Sequence, residues 1–190
     1  MPRRTRREIR VVLQQATNCA RLMRASHVEA EHLLLALATY PSTVSYAVLS
    51  RAGLSEERIV DALERERGES LSSVGVTVPL PPGLAAPEVE GIGESAKLAL
   101  TRGTQAARVR GDRSIRNGHV LAGVLAADVG RVPRALALAG VDRLVLRAQV
   151  LAAMDNFSAG NRQRRSPGRH SPLHPLRRRK LRRLAARLDG

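Results

Sequence analysis

The chain carries one stretch of its own sequence twice. Shifted by 87 positions without a gap, Ala20-Arg21 falls on Ala107-Arg108, His32 on His119, Leu34 on Leu121, Leu49 on Leu136, and Ala52-Gly53-Leu54 on Ala139-Gly140-Val141. The register holds from about residue 9 to about residue 153. Self-similarity at a fixed period means that one helical unit is used twice, and it outweighs any single motif. No pair of catalytic side chains recurs with the register, so the doubled unit reads as a two-fold binding surface rather than a reaction centre.

The periodicity inside the unit is helical. Ile9, Val12, Leu13, Ala16, Ala20 and Met23 predict a long amphipathic first helix, with Thr5 as its N-cap. A loop over 25–29 leads into Glu31-His32-Leu33-Leu34-Leu35-Ala36-Leu37-Ala38, apolar nearly all round as a central buried helix should be, and Pro41 ends it. A third helix from about Thr43 to Arg51 stops at Gly53, a suitable left-handed C-terminal residue. Ser55-Glu56-Glu57 caps a fourth that runs to about Glu66. Pro79, Pro81, Pro82 and Pro87, with Gly68, Gly75, Gly83, Gly91 and Gly93, mark residues 67–93 as an extended linker or lid without regular structure. The second unit then repeats the first, with Asn117 as the N-cap of its central helix and the last helix ending at about Asp155.

The expected architecture is therefore all-α: two pseudo-symmetric four-helix repeats, over about 5–66 and 94–155, forming a 1–155 domain. A disordered basic C-terminal tail is expected over 156–190, within which 176–188 has the pattern of a basic amphipathic helix that forms on a partner.

Charge matters here through its placement. Of the net +15, residues 161–190 contribute +10 and residues 1–7 contribute +4, so the repeats themselves are near neutral. Tyr40, Tyr46 and Phe157 are the chain's aromatic residues, which disfavours modules that stack bases on rings. The single Cys19 excludes an internal disulfide and a cysteine-based zinc site, and it fits a reducing cytosol. No apolar run approaches the roughly 18 residues of a membrane span. The Arg-rich start lacks the apolar core of an export signal. A cytoplasmic protein is expected.

The stretch from Ala20 to Leu37, with Val48-Leu49 and Ala52-Gly53-Leu54, resembles the N-terminal repeat of Clp ATPases, which carries a loop, then Thr-Glu-His-Leu-Leu-Leu, then a short helix closed by Gly-Val or Gly-Leu. The second unit is similar in Gly111, Ile115, His119-Val120-Leu121, Leu136 and Ala139-Gly140-Val141-Asp142, so the resemblance covers about residues 5–155. It implies a double-repeat helical docking platform for the substrates and adaptors of an unfoldase. It also implies that the Glu of each Thr-Glu-His segment helps bind the guanidinium of phosphorylated arginine. Glu31 maps onto that role, whereas the second repeat has Gly118 there, and the preceding Thr is Ala30 in one repeat and Asn117 in the other. The phosphate-cradling Gly-x-x-x-x-Gly-Lys-Ser/Thr loop of the family's ATPase modules does not occur in the chain.

Two readings of Glu31 stand open: a first-turn carboxylate favoured by the helix dipole by about 0.3–1 kcal/mol, or a bidentate partner for a guanidinium, hence for a peptide or a phospho-arginine mark. His32 and His119 read as structural histidines hydrogen-bonded to the preceding loop, and with Gly53 and Gly140 they form the repeat signature. His27 and His32 stand five apart across a loop, the wrong spacing for a zinc helix. No metal or cofactor is expected.

The tail cluster Arg177, Arg178, Arg179, Lys180, Arg182, Arg183 and Arg187 has three readings: a solvated tail, a contact for an acidic protein surface, or a grip on nucleic acid or anionic lipid. The expected function is non-enzymatic: a protein-binding adaptor or regulator of a Clp unfoldase-protease, whose partners are the Clp ATPase, its substrates or its adaptors. The alternative is a nucleic-acid-associated protein that uses the Arg-rich tail.

Overall fold

Helix α1 (Arg3–Leu22) buries Val12, Ala16, Cys19 and Ala20, one stripe at three- and four-residue spacing, against helix α2 (Ala30–Thr39). Every residue of α2 from Ala30 to Ala38 is buried, as its unbroken apolar run requires. The short helix α3 (Val44–Arg51) and the long α4 (Glu56–Ser73) follow in sequence. The second repeat gives α5 (Glu94–Val109), the fully buried α6 (Asn117–Val124), α7 (Arg131–Leu138) and α8 (Arg143–Arg165). The computed structural model describes residues 3–73, 75 and 87–165; Met1–Asp155 form one compact unit and Asn156–Gly190 a second.

Within the first unit the repeats share a single core. The two buried helices α2 and α6 pack on each other at its centre, α1 covers α2, α5 covers α6, and α4 packs against α7 across the repeat boundary. Leu33, Leu34, Leu37, Leu49 and Leu63 of the first repeat join Leu121, Leu125, Leu146 and Val150 of the second. Each of these side chains contributes on the order of 1.5–3 kcal/mol when fully buried. Neither repeat could bury its central helix alone.

Several element ends differ from the sequence-based expectation. Helix α1 begins at Arg3, so Thr5 lies inside it rather than capping it. Helix α4 continues past Glu66 to Ser73, because nothing in 67–73 stops a helix: Gly68 is tolerated at a small cost and no proline comes before Pro79. Helix α8 runs past Asp155 to Arg165, the last described residue. The N-cap of α6 is Arg116, and Asn117 is its first residue, with its Oδ1 accepting from Gly118 N at 2.8 Å. The far end of the 67–93 segment is also ordered: β2 (Gly91–Ile92) pairs in parallel with β1 (His27–Val28). Of the expected linker, residues 74 and 76–86 lie outside the described residues, as does the tail from residue 166 on.

Candidate guanidinium-binding site

The two central helices start the same way. In α2, Glu29 N donates to His32 Nδ1 at 2.8 Å; in α6, Arg116 N donates to His119 Nδ1 at 2.9 Å. Each imidazole thus accepts through Nδ1 and carries its proton on Nε2. Both rings are 1% exposed, and burial is the largest cause holding both below the ordinary histidine pKa.

Beyond that shared cap the halves diverge. His119 Nε2 meets Asp112 Oδ2 at 3.0 Å, and Arg110 reaches Asp112 at 3.2 Å and Asp155 at 2.7 Å. Burial raises the Asp112 carboxyl, but the bonds from His119 and Arg110 outweigh it and hold it below its usual range. The position 87 residues before Asp112 is Ala25, and His32 Nε2 has no hydrogen-bond partner among the described residues.

Glu29, at the N-cap of α2, clamps the second repeat to the first. Its Oε2 accepts from Ser95 N at 3.0 Å and from the Ser95 hydroxyl, and Ala30 N donates to Ser95 Oγ at 2.8 Å. A Cβ on Gly93 would lie 1.8 Å from Glu29 Oε1, so glycine is required there for the carboxylate to reach the start of α5.

Glu31 is the second residue of α2 and is 7% exposed. Its Oε1 accepts from Arg131 Nη1 at 3.1 Å, a guanidinium from the first residue of α7. The same guanidinium donates through Nε to Glu66 Oε2 at 3.2 Å and through Nη2 to Leu63 O at 3.2 Å. Glu66, 3% exposed on α4, also accepts at Oε1 from Arg134 Nε and from Ser70 Oγ, both at 2.7 Å. Burial raises the Glu66 carboxyl; the Ser70 and Arg134 hydrogen bonds and the charges of Arg134 and Arg131 overcome that and lower it. The arrangement is a pair of largely buried carboxylates that takes guanidinium in an oriented, charge-assisted fashion.

Glu31 therefore sits in an ion network rather than at an uncomplicated helix start. Glu66, Arg131 and Arg134 were not singled out from the sequence. Glu66 did leave a trace, for it continues the buried stripe of Ile59, Ala62 and Leu63, and an acidic residue on a buried stripe needs a cationic partner. The network has no counterpart in the other half. Positions 87 residues away from Glu31, Glu66, Arg131 and Arg134 are Gly118, Ala153, Val44 and Ala47. A Cβ on Gly118 would lie 2.6 Å from Met154 Sδ, so that space is filled by an apolar side chain.

Gly53 and Gly140 close α3 and α7 with φ of 70° and 72°. The basic cluster Arg177, Arg178, Arg179, Lys180, Arg182, Arg183 and Arg187 lies outside the described residues. Among the described residues, no three His, Cys, Asp or Glu side chains converge as a metal site would need, and no single helix is long and apolar enough to cross a membrane.

Comparison with known proteins bears on the same residues. The family described as the Clp repeat (R) N-terminal domain matches residues 5–87. The chaperone protein ClpB of Bacteroides thetaiotaomicron is 43% identical over 68 residues, which are 35% of this chain and 8% of that protein. In solved structures, the N-terminal domain of the caseinolytic protease associated chaperone ClpD from Arabidopsis thaliana superimposes with a TM-score of 0.56 at 18% identity, covering 78% of this chain and 92% of that one. The Hsp104 N-terminal domain from Candida albicans gives 0.53 at 18% identity, covering 76% and 87%. The structural likeness, over 78% of this chain, extends past residue 87, where the family match ends. Residues 5–87 match the Clp repeat (R) N-terminal domain family, and the two repeats together have the fold of these N-terminal domains.

Proposed function

We propose that this chain is a protein-binding module that acts as an adaptor, competitor or substrate-capturing regulator of a Clp unfoldase-protease, engaging polypeptide between its two repeats. The observation that carries the reading is the Clp repeat N-terminal domain at residues 5–87, continued by a fold like the N-terminal domains of Clp-type chaperones over both halves. Glu31 is the contact for an arginine side chain of the bound polypeptide, including one marked by phosphorylation. Its support is chemical: Glu31 lies in a pair of carboxylates already arranged about a guanidinium.

The test has two parts. Pull-down with the Clp ATPase of the source cell should retain the chain, and calorimetry with a phospho-arginine peptide should give saturable heat that Glu31→Ala removes. Absence of both interactions rejects the reading. Retention of peptide binding by Glu31→Ala returns Glu31 to helix capping and network formation.

A further inference from the structure

We infer that Arg131 is an internal competitor for the Glu31 site, so that an incoming guanidinium binds by displacing it. This rests on the reading of Glu31 given above and concerns how that site is controlled.

The geometry carries the inference in three steps. First, the seat is taken: all three guanidinium nitrogens of Arg131 are bonded, to Glu31 Oε1, Glu66 Oε2 and Leu63 O, at 3.1 to 3.2 Å. A second guanidinium cannot take the Arg131 face of Glu31 while those bonds stand. Second, the occupant can leave. The Arg131 side chain is 27% exposed, against 10% and 4% for those of Glu31 and Glu66, so it reaches the network from the solvent side.

Third, departure frees one carboxylate and not the other. Glu66 keeps Arg134 and Ser70 when Arg131 swings away, whereas Arg131 is the cation bonded to Glu31. A buried carboxylate stripped of its cation is costly, so the vacated Glu31 favours whatever guanidinium is at hand. The competition belongs to one half of the molecule, since the register positions of Glu31 and Arg131 in the other half hold Gly118 and Val44.

A binding-competent state that is only fractionally populated weakens apparent affinity by that fraction. The test uses the full 190-residue chain and two fluorescent peptides of one sequence, carrying either arginine or phospho-arginine, which share the guanidinium and separate the contribution of the phosphate. Arg131→Ala should bind one or both about tenfold or more tightly than wild type. The gain should vanish in Arg131→Ala with Glu31→Gln. Arg65→Ala, which removes a positive charge paired with Asp61 at the surface, should bind like wild type.

Equal or weaker binding by Arg131→Ala, where wild type binds, overturns the competitor role and leaves the Glu31 reading standing. No binding by any variant removes that reading, and the competitor with it. A second measurement needs no variant: the Arg131 Nε–H resonance of the wild-type protein should move on saturation with the peptide that binds. A resonance that stays in place overturns displacement.

Discussion

Of the helix ends that fall on a residue in the left-handed region, four form two pairs 87 positions apart: Arg24 with Gly111, and Gly53 with Gly140, at φ of 56° to 72°. Each end is closed by the same two bonds. At the last, Gly140 N donates to Ala137 O and Val141 N to Leu136 O, both at 2.9 Å, which satisfies carbonyls the helix leaves open. No atom outside its chain neighbours lies within 4 Å of where a Cβ on Gly140 would stand, so Gly140→Ala adds a methyl that meets nothing. Its expected cost of about 1–2 kcal/mol is backbone strain alone. Denaturant unfolding should show the midpoint fall with an unchanged slope; an unchanged midpoint would mean that the turn relaxes. Gly53 and Gly140 were readable in the sequence because glycine is the usual residue there. Arg24 was not, since it holds the same conformation through the tertiary setting and the bond from Ala25 N to Ala20 O.

At the scale of elements, the repeats differ in how closely their first two helices approach. A Cβ on Gly123 of α6 would lie 2.0 Å from Ala99 O and 2.6 Å from Gly103 N, and one on Gly103 of α5 would lie 2.6 Å from His119 O. These are backbone atoms, which cannot rotate aside. The register positions in the first repeat are Ala36 and Ala16, both 0% exposed, so α1 and α2 accommodate methyl groups that α5 and α6 exclude. Gly123→Ala should therefore cost about 1–3 kcal/mol or more by forcing α5 and α6 apart. Thermal unfolding checks it, with a loss of less than about 0.5 kcal/mol as the contrary result. The all-helical class and the central helices were legible because 3.6-residue periodicity and unbroken apolar runs report burial directly. The candidate site was legible only at Glu31. Its partner Arg131 stands 100 residues away and meets it because α7 packs on α4, a tertiary fact with no periodic signature.

At the scale of the whole molecule, fusing two repeats through α2 and α6 places a neutral imidazole at the start of each central helix, and that makes the fold acid-sensitive. His32 faces Glu29, Glu31 and Arg131; His119 faces Asp112, Arg110 and Arg116. Burial dominates in both and holds the folded pKa below 6.5, so as pH falls the unfolded chain takes up these protons first and stability declines with it. Glu66 and Asp112 act lower down. Their folded pKa values lie below 4.5 and 3.8, so the stability their ion pairs contribute is complete above those values and is lost as pH falls through them. The thermal midpoint should be level above about pH 7, decline from there toward pH 5, and fall further below pH 4.5. A midpoint equal at pH 7.5 and 5.5 would show that neither histidine is held neutral. Asp112→Asn separates the two halves, because Asp112 raises the His119 pKa by its bond and its charge. Without it, His119 resists protonation further, so the decline due to this ring should continue to lower pH, while the part due to His32 stays where it was.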